Sequence, residues 1–307
     1  MHAANAGDEA GLRTALALAA QQGLSMSKVK EPEEQRSALH LASKAGHAAC
    51  MTPLLEAGFE AGWRAKNGDA SLHLAAQFGH AACVRLLIAA SADATAVNDG
   101  KVTPLYAACA GGHAECAKLL LDAGASTHFQ RDDGTAPLHI ACKKGHLACV
   151  ELLLDADAPL EQRMAFGTTP LYVAVAYGQL ECMRRLLARG ADANAVTDAG
   201  ATPLFVACEE DRAECAELLL QATRIPTTRH GWTRNCYACP VRPVPLPHSP
   251  FASPRALPFR LQASASPNAT DRKGRTPLHV TAIKGSVHCT QILMASPGTD
   301  RYGRRRS

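Results

Sequence analysis

The sequence predicts an all-α solenoid: helix-turn-helix units stacked side by side, with hairpin loops projecting from one edge. Three registers of a single period carry that expectation. Leu39, Leu72, Leu105, Leu138, Leu171 and Leu204 recur every 33 residues, and Leu278 repeats their context further on. Cys50, Cys83, Cys116, Cys149, Cys182 and Cys215 keep the same spacing, and Cys289 follows Leu278 at the distance that separates Cys50 from Leu39. A glycine returns seven residues after the leucine at Gly46, Gly79, Gly112, Gly145, Gly178 and Gly285. Self-similarity at this period marks an array whose units bury their apolar faces only against their neighbours.

In chain order, His2 to Leu16 reads as a short terminal unit, because Ala3 to Asp8 mirrors Leu41 to His47. The polar stretch Ser25 to Arg36 absorbs the extra residues between Gly7 and Gly46. The unit from Thr169 to Ala193 shows the anatomy of the rest. Thr169 stands before Pro170, an N-cap followed by a residue preset for the first helical position. Leu171, Ala174 and Val175 line one side of a short first helix, and Gly178 supplies the turn. Cys182, Leu186 and Leu187 repeat the spacing in a second helix, which Gly190 closes from the C′ position. Two departures stand out. Pro53 falls inside a second helix, where its missing N–H should kink or shorten it, and Asp211-Arg212 replaces the usual Gly-His turn.

The T-P-L-x-x-A pattern with this period resembles the ankyrin repeat. Asp132 to Ala158, reading DDGTAPLHIACKKGHLACVELLLDADA, and Asp198 to Leu220 carry the resemblance most fully, and it extends over most of 2–220 and 271–300. The resemblance implies two antiparallel helices per repeat, a hairpin at near right angles to them, and a curved stack that binds another protein without catalysis. The expected organisation is a stack over 1–220 with a capping repeat and about six others, a degenerate segment over 221–270, one repeat over 271–300 and a basic tail over 301–307. The TPLY-x-A-C and H-x-x-C variants between Leu105 and Cys116 are also similar to repeats of the ankyrin and SOCS-box proteins. Those imply an alternative function, substrate recognition for a cullin-type ubiquitin ligase, through a C-terminal adaptor-binding helix box. The final residues SPGTDRYGRRRS show no such box, so this alternative implies a missing or truncated adaptor box.

Composition agrees with a helical array. Apolar residues make up 47% and aromatics only 5%, so the core must come from Ala, Leu, Val and Cys. Charge divides sharply. Residues 1–220 hold 18 Lys and Arg against 26 Asp and Glu, and residues 221–307 hold 14 against 2. No apolar run reaches the ~18 residues of a membrane span, and MHAANAGDEAGLR places acids where a secretion signal needs basic residues. A cytoplasmic or nuclear location is therefore expected. Within 221–270, Gly231 to Cys239 reads as a damaged repeat, and seven prolines lie between Pro240 and Pro258. Pro240-Val241-Arg242-Pro243 fits a polyproline ligand of an SH3-like domain. An insertion or translated intron explains the same composition and is favoured.

No constellation announces chemistry. Cysteines at equivalent positions of stacked helices lie too far apart to bond, so they read as small buried apolar residues kept reduced. Cys236-x-x-Cys239 near His230 and His248 has zinc-like spacing but lacks a second paired half. His40, His73, His139 and His279 each belong to the capping turn of a different repeat and to no metal array. No Walker loop, G-x-S-x-G, H-E-x-x-H or G-x-G-x-x-G is present, and neither cofactor nor metal is expected. The Arg304-Arg305-Arg306 end reads as a tail, without aromatic company for nucleic acid.

A partner surface is expected where exposed positions vary while the frame repeats. By register the hairpin tips include Lys66, Asn67, Asp69, Asp99, Val102, Asp132, Asp133, Thr135, Phe166, Thr168 and Asp198. The outward face of the first helices includes Gln77, Phe78, Lys143, Lys144, Tyr177, Glu209 and Glu210. Phe78, Phe166 and Tyr177 are the candidate anchors, since aromatic residues dominate binding hot spots. The acidic balance favours a protein partner with a basic patch. The chain is expected to be a monomer that engages no membrane.

Overall fold

The computed structural model describes residues 1–22, 33–221, 265–296 and 299. The degenerate repeat, the proline-rich stretch, the Cys236-x-x-Cys239 pair and the basic tail lie outside the described residues. The described chain is helical, without strands, and its helices come in pairs. The first of each pair are α1 (His2–Ala6), α3 (Ala38–Ala45), α5 (Ser71–Gln77), α7 (Pro104–Gly111), α9 (Pro137–Lys144), α11 (Pro170–Ala176), α13 (Pro203–Glu209) and α15 (Pro277–Lys284). The second are α2 (Glu9–Gln21), α4 (Ala48–Glu56), α6 (Ala81–Ala89), α8 (Ala114–Asp122), α10 (Leu147–Asp155), α12 (Leu180–Ala188), α14 (Ala213–Gln221) and α16 (Val287–Ala295). First helices pack on first helices and second on second, giving two parallel rows. The terminal helix α2 runs five residues beyond the expected limit at Leu16, to Gln21, because Ala19 buries where the period had suggested an end.

The core is the repeat register made solid. Leu39, Leu72, Leu105, Leu138 and Leu171 are wholly buried between successive first helices. All ten described cysteines are buried free thiols. Burial pushes the thiols of Cys83, Cys116 and Cys182 up to about 11. They fill the seam between the helix rows as compact apolar groups.

Each first helix starts on a cap set by sequence. The hydroxyls of Thr103, Thr169 and Thr202 accept the N–H of the third residue on, at 3.2, 3.3 and 3.2 Å. Where the repeat reads L-H, the histidine reaches back instead. His40, His73 and His139 Nδ1 accept the backbone N–H of Ser37, Ala70 and Ala136 at 3.3, 3.1 and 3.3 Å. Accepting there places the ring proton on Nε2, which donates to the next hairpin: His40 to the Asp69 carbonyl at 3.0 Å and His73 to that of Val102 at 3.1 Å. His40 and His73 thus cap one repeat and tie it to the next, while His139 supplies the cap alone.

A second ladder sets the spacing of the stack. The turn glycines Gly46, Gly79 and Gly112 adopt φ near +80°, and the ring of the next repeat's histidine fills the space where each Cβ would sit, His80, His113 and His146 in turn. Those rings donate to the carbonyls of Lys44, Gln77 and Ala110 at 3.0, 3.0 and 3.3 Å. Where Asp211-Arg212 interrupts the pattern, the Arg212 side chain covers Gly178 instead. Pro53 does not shorten its helix. α4 keeps the nine residues of its counterparts, losing only the hydrogen bond that proline cannot donate. The far end is less well covered: Ile283 and Val287 of the last pair are 69% and 64% exposed.

Candidate functional site

The hairpins stack tip on tip through single backbone bonds. Lys66 N–H donates to the Glu34 carbonyl, Asp99 to Asn67, Ala165 to Asp133, Asp198 to Phe166 and Arg272 to Ala199, at 2.8 to 3.2 Å. Between the third and fourth hairpins no backbone bond of this kind forms, and Arg131 Nε donates to the Gly100 carbonyl at 3.2 Å. This ladder fixes the line of tips relative to the first-helix row below it.

The two rows enclose a groove of about 720 Å³ running from α3 to α9, within the size range of ligand sites. Its shape comes from one register. The last two residues of each first helix, or the residues just after it, face the concave side. They are Lys44, then Gln77-Phe78, then Ala110-Gly111, then Lys143-Lys144, then Tyr177. The third pair has almost no side chain, so a notch opens between Phe78 and Lys144, floored by Ala107, Ala110 and Gly111. The packing enforces that smallness: a Cβ on Gly111 would lie 2.5 Å from the His113 ring and 3.0 Å from the Gln77 carbonyl.

Of the residues expected to bind a partner, Asn67, Asp69, Gln77, Phe78, Val102 and Lys144 line this groove together. Lys143 and Tyr177 form an adjoining pair, the ammonium 5.1 Å from the ring centroid, as Lys44 stands 5.9 Å from the Phe78 ring. Both aromatics are exposed, Phe78 to 44% and Tyr177 to 49%, each with a cation over it. Lys66, Asp99, Asp132, Asp133, Phe166 and Asp198 are exposed along the tips outside the groove lining. Phe166 is 82% exposed and sits at φ 63°, a left-handed backbone that costs a bulky residue on the order of 1 kcal/mol. Glu209 is half-buried and Glu210 exposed at the far end of the concave face. Burial, helped by these two carboxylates, pushes the nearby Tyr172 phenol up.

Two assignments to the exposed tips, Asp69 and Thr135, need correction. Asp69 is 8% exposed. Its two carboxylate oxygens accept from the Asn67 and Asn98 amides at 2.6 and 2.7 Å, while its carbonyl serves His40. The position three before the repeat leucine lies on the inner leg of the hairpin, so Thr135 is buried as well and Val102 and Thr168 half-buried.

Sequence reasoning missed the other half of the groove: Arg36, Lys44, Asn98, Tyr106, Ala110 and Gly111. Lys44 holds the register position of Gln77 and Lys143, so its place was readable. The notch was readable as a pair of small residues where neighbouring repeats carry large ones. The groove also departs from the acidity of the domain. Its lining holds Arg36, Lys44 and Lys144 against the single carboxylate of Asp69. Among the described residues, Lys44 and Lys144 have no carboxylate within ion-pair distance, while Arg36 approaches Glu34 at 3.7 Å.

Models of ankyrin repeats match in three copies, over residues 1–98, 72–164 and 156–230. The chain belongs to the ankyrin-repeat family. Among solved structures, the ankyrin chain is similar to the human ASB11 ankyrin repeat domain. That likeness has 27% identity and a TM-score of 0.65, covering 84% of this chain and 97% of that one. A search of the curated proteins returns no match. Ankyrin repeats form protein–protein interaction domains, typically without catalysis, so an interaction role follows from the family. Among the described residues, no helix is long and apolar enough to cross a membrane.

Proposed function

We propose that this chain is a non-enzymatic scaffold, a monomer of the cytoplasm or nucleus, that seats a partner protein on its concave face. The observation that carries the reading is the notch at Ala110-Gly111. It is a pre-formed depression with exposed Phe78 and Lys144 beside it and Tyr177 one repeat beyond. Aromatic anchors beside a pre-formed cavity are what concentrates binding energy in an interface. The partner also reaches the tips, with Phe166, Asp132, Asp133 and Asp198 as flanking contacts.

The test is cross-linked capture with the full chain, repeated with a Phe78→Ala, Tyr177→Ala double variant, and then affinity measured with the purified partner. Losing two anchors should weaken binding by roughly a hundredfold. A partner bound equally by both proteins would move the site to the tips or the convex face and refute the reading. A second reading, substrate recognition within a cullin-type ubiquitin ligase, is favoured by the likeness to the human ASB11 domain and by the TPLY-x-A-C repeats. It requires the captured complexes to contain a cullin, and complexes without one would exclude it.

A further inference from the structure

We propose that the groove between α3 and α9 takes a short acidic segment of another protein, with one apolar side chain lodged in the notch over Ala110 and Gly111. This rests on the concave-face reading above and names its ligand chemistry. Ala107, Ala110 and Gly111 line the notch without a polar side chain, so an uncharged side chain fits there. The rim is cationic: Lys44 and Lys144 stand exposed without carboxylate partners among the described residues, and Arg36 lines the same groove with Glu34 3.7 Å away. The one carboxylate present, Asp69, is saturated by two amide donors and turned inward. An acidic segment would pair with the Lys44 and Lys144 ammonium groups while its apolar residue is desolvated.

The competing occupants fit less well. The chain's own residues 222–264 contain no Asp or Glu, so the rim would repel them. A nucleic acid is a long polyanion whose affinity grows with the number of phosphates neutralised. Here the domain around the groove carries 26 acids against 18 basic residues over 1–220. A short segment senses chiefly the local rim, because screening removes charges beyond about 8 Å at physiological salt.

The experiment is selection of random displayed peptides on the full chain, followed by affinity measurement of the enriched peptides by fluorescence anisotropy. Enriched sequences should carry Asp or Glu flanking a single apolar residue. Lys44→Glu with Lys144→Glu, both exposed, should weaken them by roughly tenfold or more, and added salt should weaken wild-type binding. Lys44→Gln with Lys144→Gln is the milder pair, because a carboxylate in the last helical turn opposes the helix dipole. Ala110→Leu, which fills the notch, should abolish binding while the thermal melting curve stays in place. Basic or neutral enriched sequences would overturn the proposal. So would acidic peptides indifferent to the lysine reversals. If binders depend on Phe78 and Tyr177 yet ignore the lysine reversals, the scaffold reading stands and the acidic ligand falls. If no peptide depends on any concave residue, both fall. A phosphate-backbone probe, single-stranded DNA, that outcompetes the peptides at physiological salt would also refute the assignment.

Discussion

Lowering the pH from 7.5 to 5 should destabilise the stack, and His139 should account for much of the loss. The ring is 1% exposed, and Nδ1 accepts the Ala136 N–H at 3.3 Å. Protonating Nδ1 would set two donors against each other in a buried site. Burial accordingly lowers the pKa of His139 from 6.5 to about 4, only partly offset by the Thr168 and Gln162 carbonyls near it. The sign follows from linkage. The unfolded chain binds this proton near pH 6.5 and the folded chain only near 4, so its contribution is complete above 6.5 and is lost as pH falls toward 4. At pH 5 the unfolded ring is almost wholly protonated and the folded ring scarcely at all, which amounts to about 2 kcal/mol for this residue. His40 and His73 are lowered by burial too and add to the loss in the same direction.

The assay is urea denaturation followed by far-UV circular dichroism at the two pH values, for the native sequence and for His139→Gln. Glutamine keeps a donor and an acceptor but has no proton to take up. The variant should therefore start lower at pH 7.5 and lose about 2 kcal/mol less on acidification. Equal pH dependence in both proteins would refute the capping role assigned to the neutral ring. A native protein of constant stability between the two pH values would refute the linkage itself.

Leu138 is 1% exposed between α7 and α11, so Leu138→Asp buries an unpaired carboxylate and should cost on the order of 4 kcal/mol or more. An unchanged melting temperature would contradict the register. The ten buried thiols should react with a thiol reagent at pH 8 only as the protein unfolds. Rapid modification of Cys116 or Cys182 in the native protein would place the second helices wrongly.

Local signals carried most of the architecture. Thr103, Thr169 and Thr202 stand before a proline, and all three cap the helix that follows. The 33-residue leucines and cysteines are buried because position within a repeat dictates burial wherever every neighbour is another repeat. Less legible was whatever depends on two repeats at once. Asp69 looks like a tip residue in its own repeat. It is buried by an amide from Asn98, 29 residues on, and by the histidine that precedes it by the same distance. The cationic groove is likewise a property of four repeats together, since Lys44 and Lys144 stand in α3 and α9 with α5 and α7 between them. A net charge summed along the chain averages that asymmetry away. Pro53 shows the converse, a local rule overruled because α4 is held by packing on α2 and α6.

The notch itself shows fold and binding constrained by the same atoms. Gly111 lies beneath the ladder in which His113 donates to the Gln77 carbonyl at 3.0 Å, and any β-carbon there would strike both partners of that bond. Ala110, one residue earlier, is only half-buried and points into the groove lining. The two positions should therefore respond in opposite ways. Gly111→Ala must displace the ring or the carbonyl and should lower stability by about 1–3 kcal/mol through overpacking and a weakened inter-repeat hydrogen bond. Ala110→Leu should leave stability within about 1 kcal/mol, because Ala110 is half-buried at the edge of the core and beside the open groove, while removing the space a ligand would use. Equilibrium unfolding of the two variants beside their binding to any concave-face ligand separates the roles. A Gly111→Ala protein as stable as the native one would mean that the ladder does not hold the notch open. An Ala110→Leu protein that bound normally would mean that the notch, though built, is not where the partner docks.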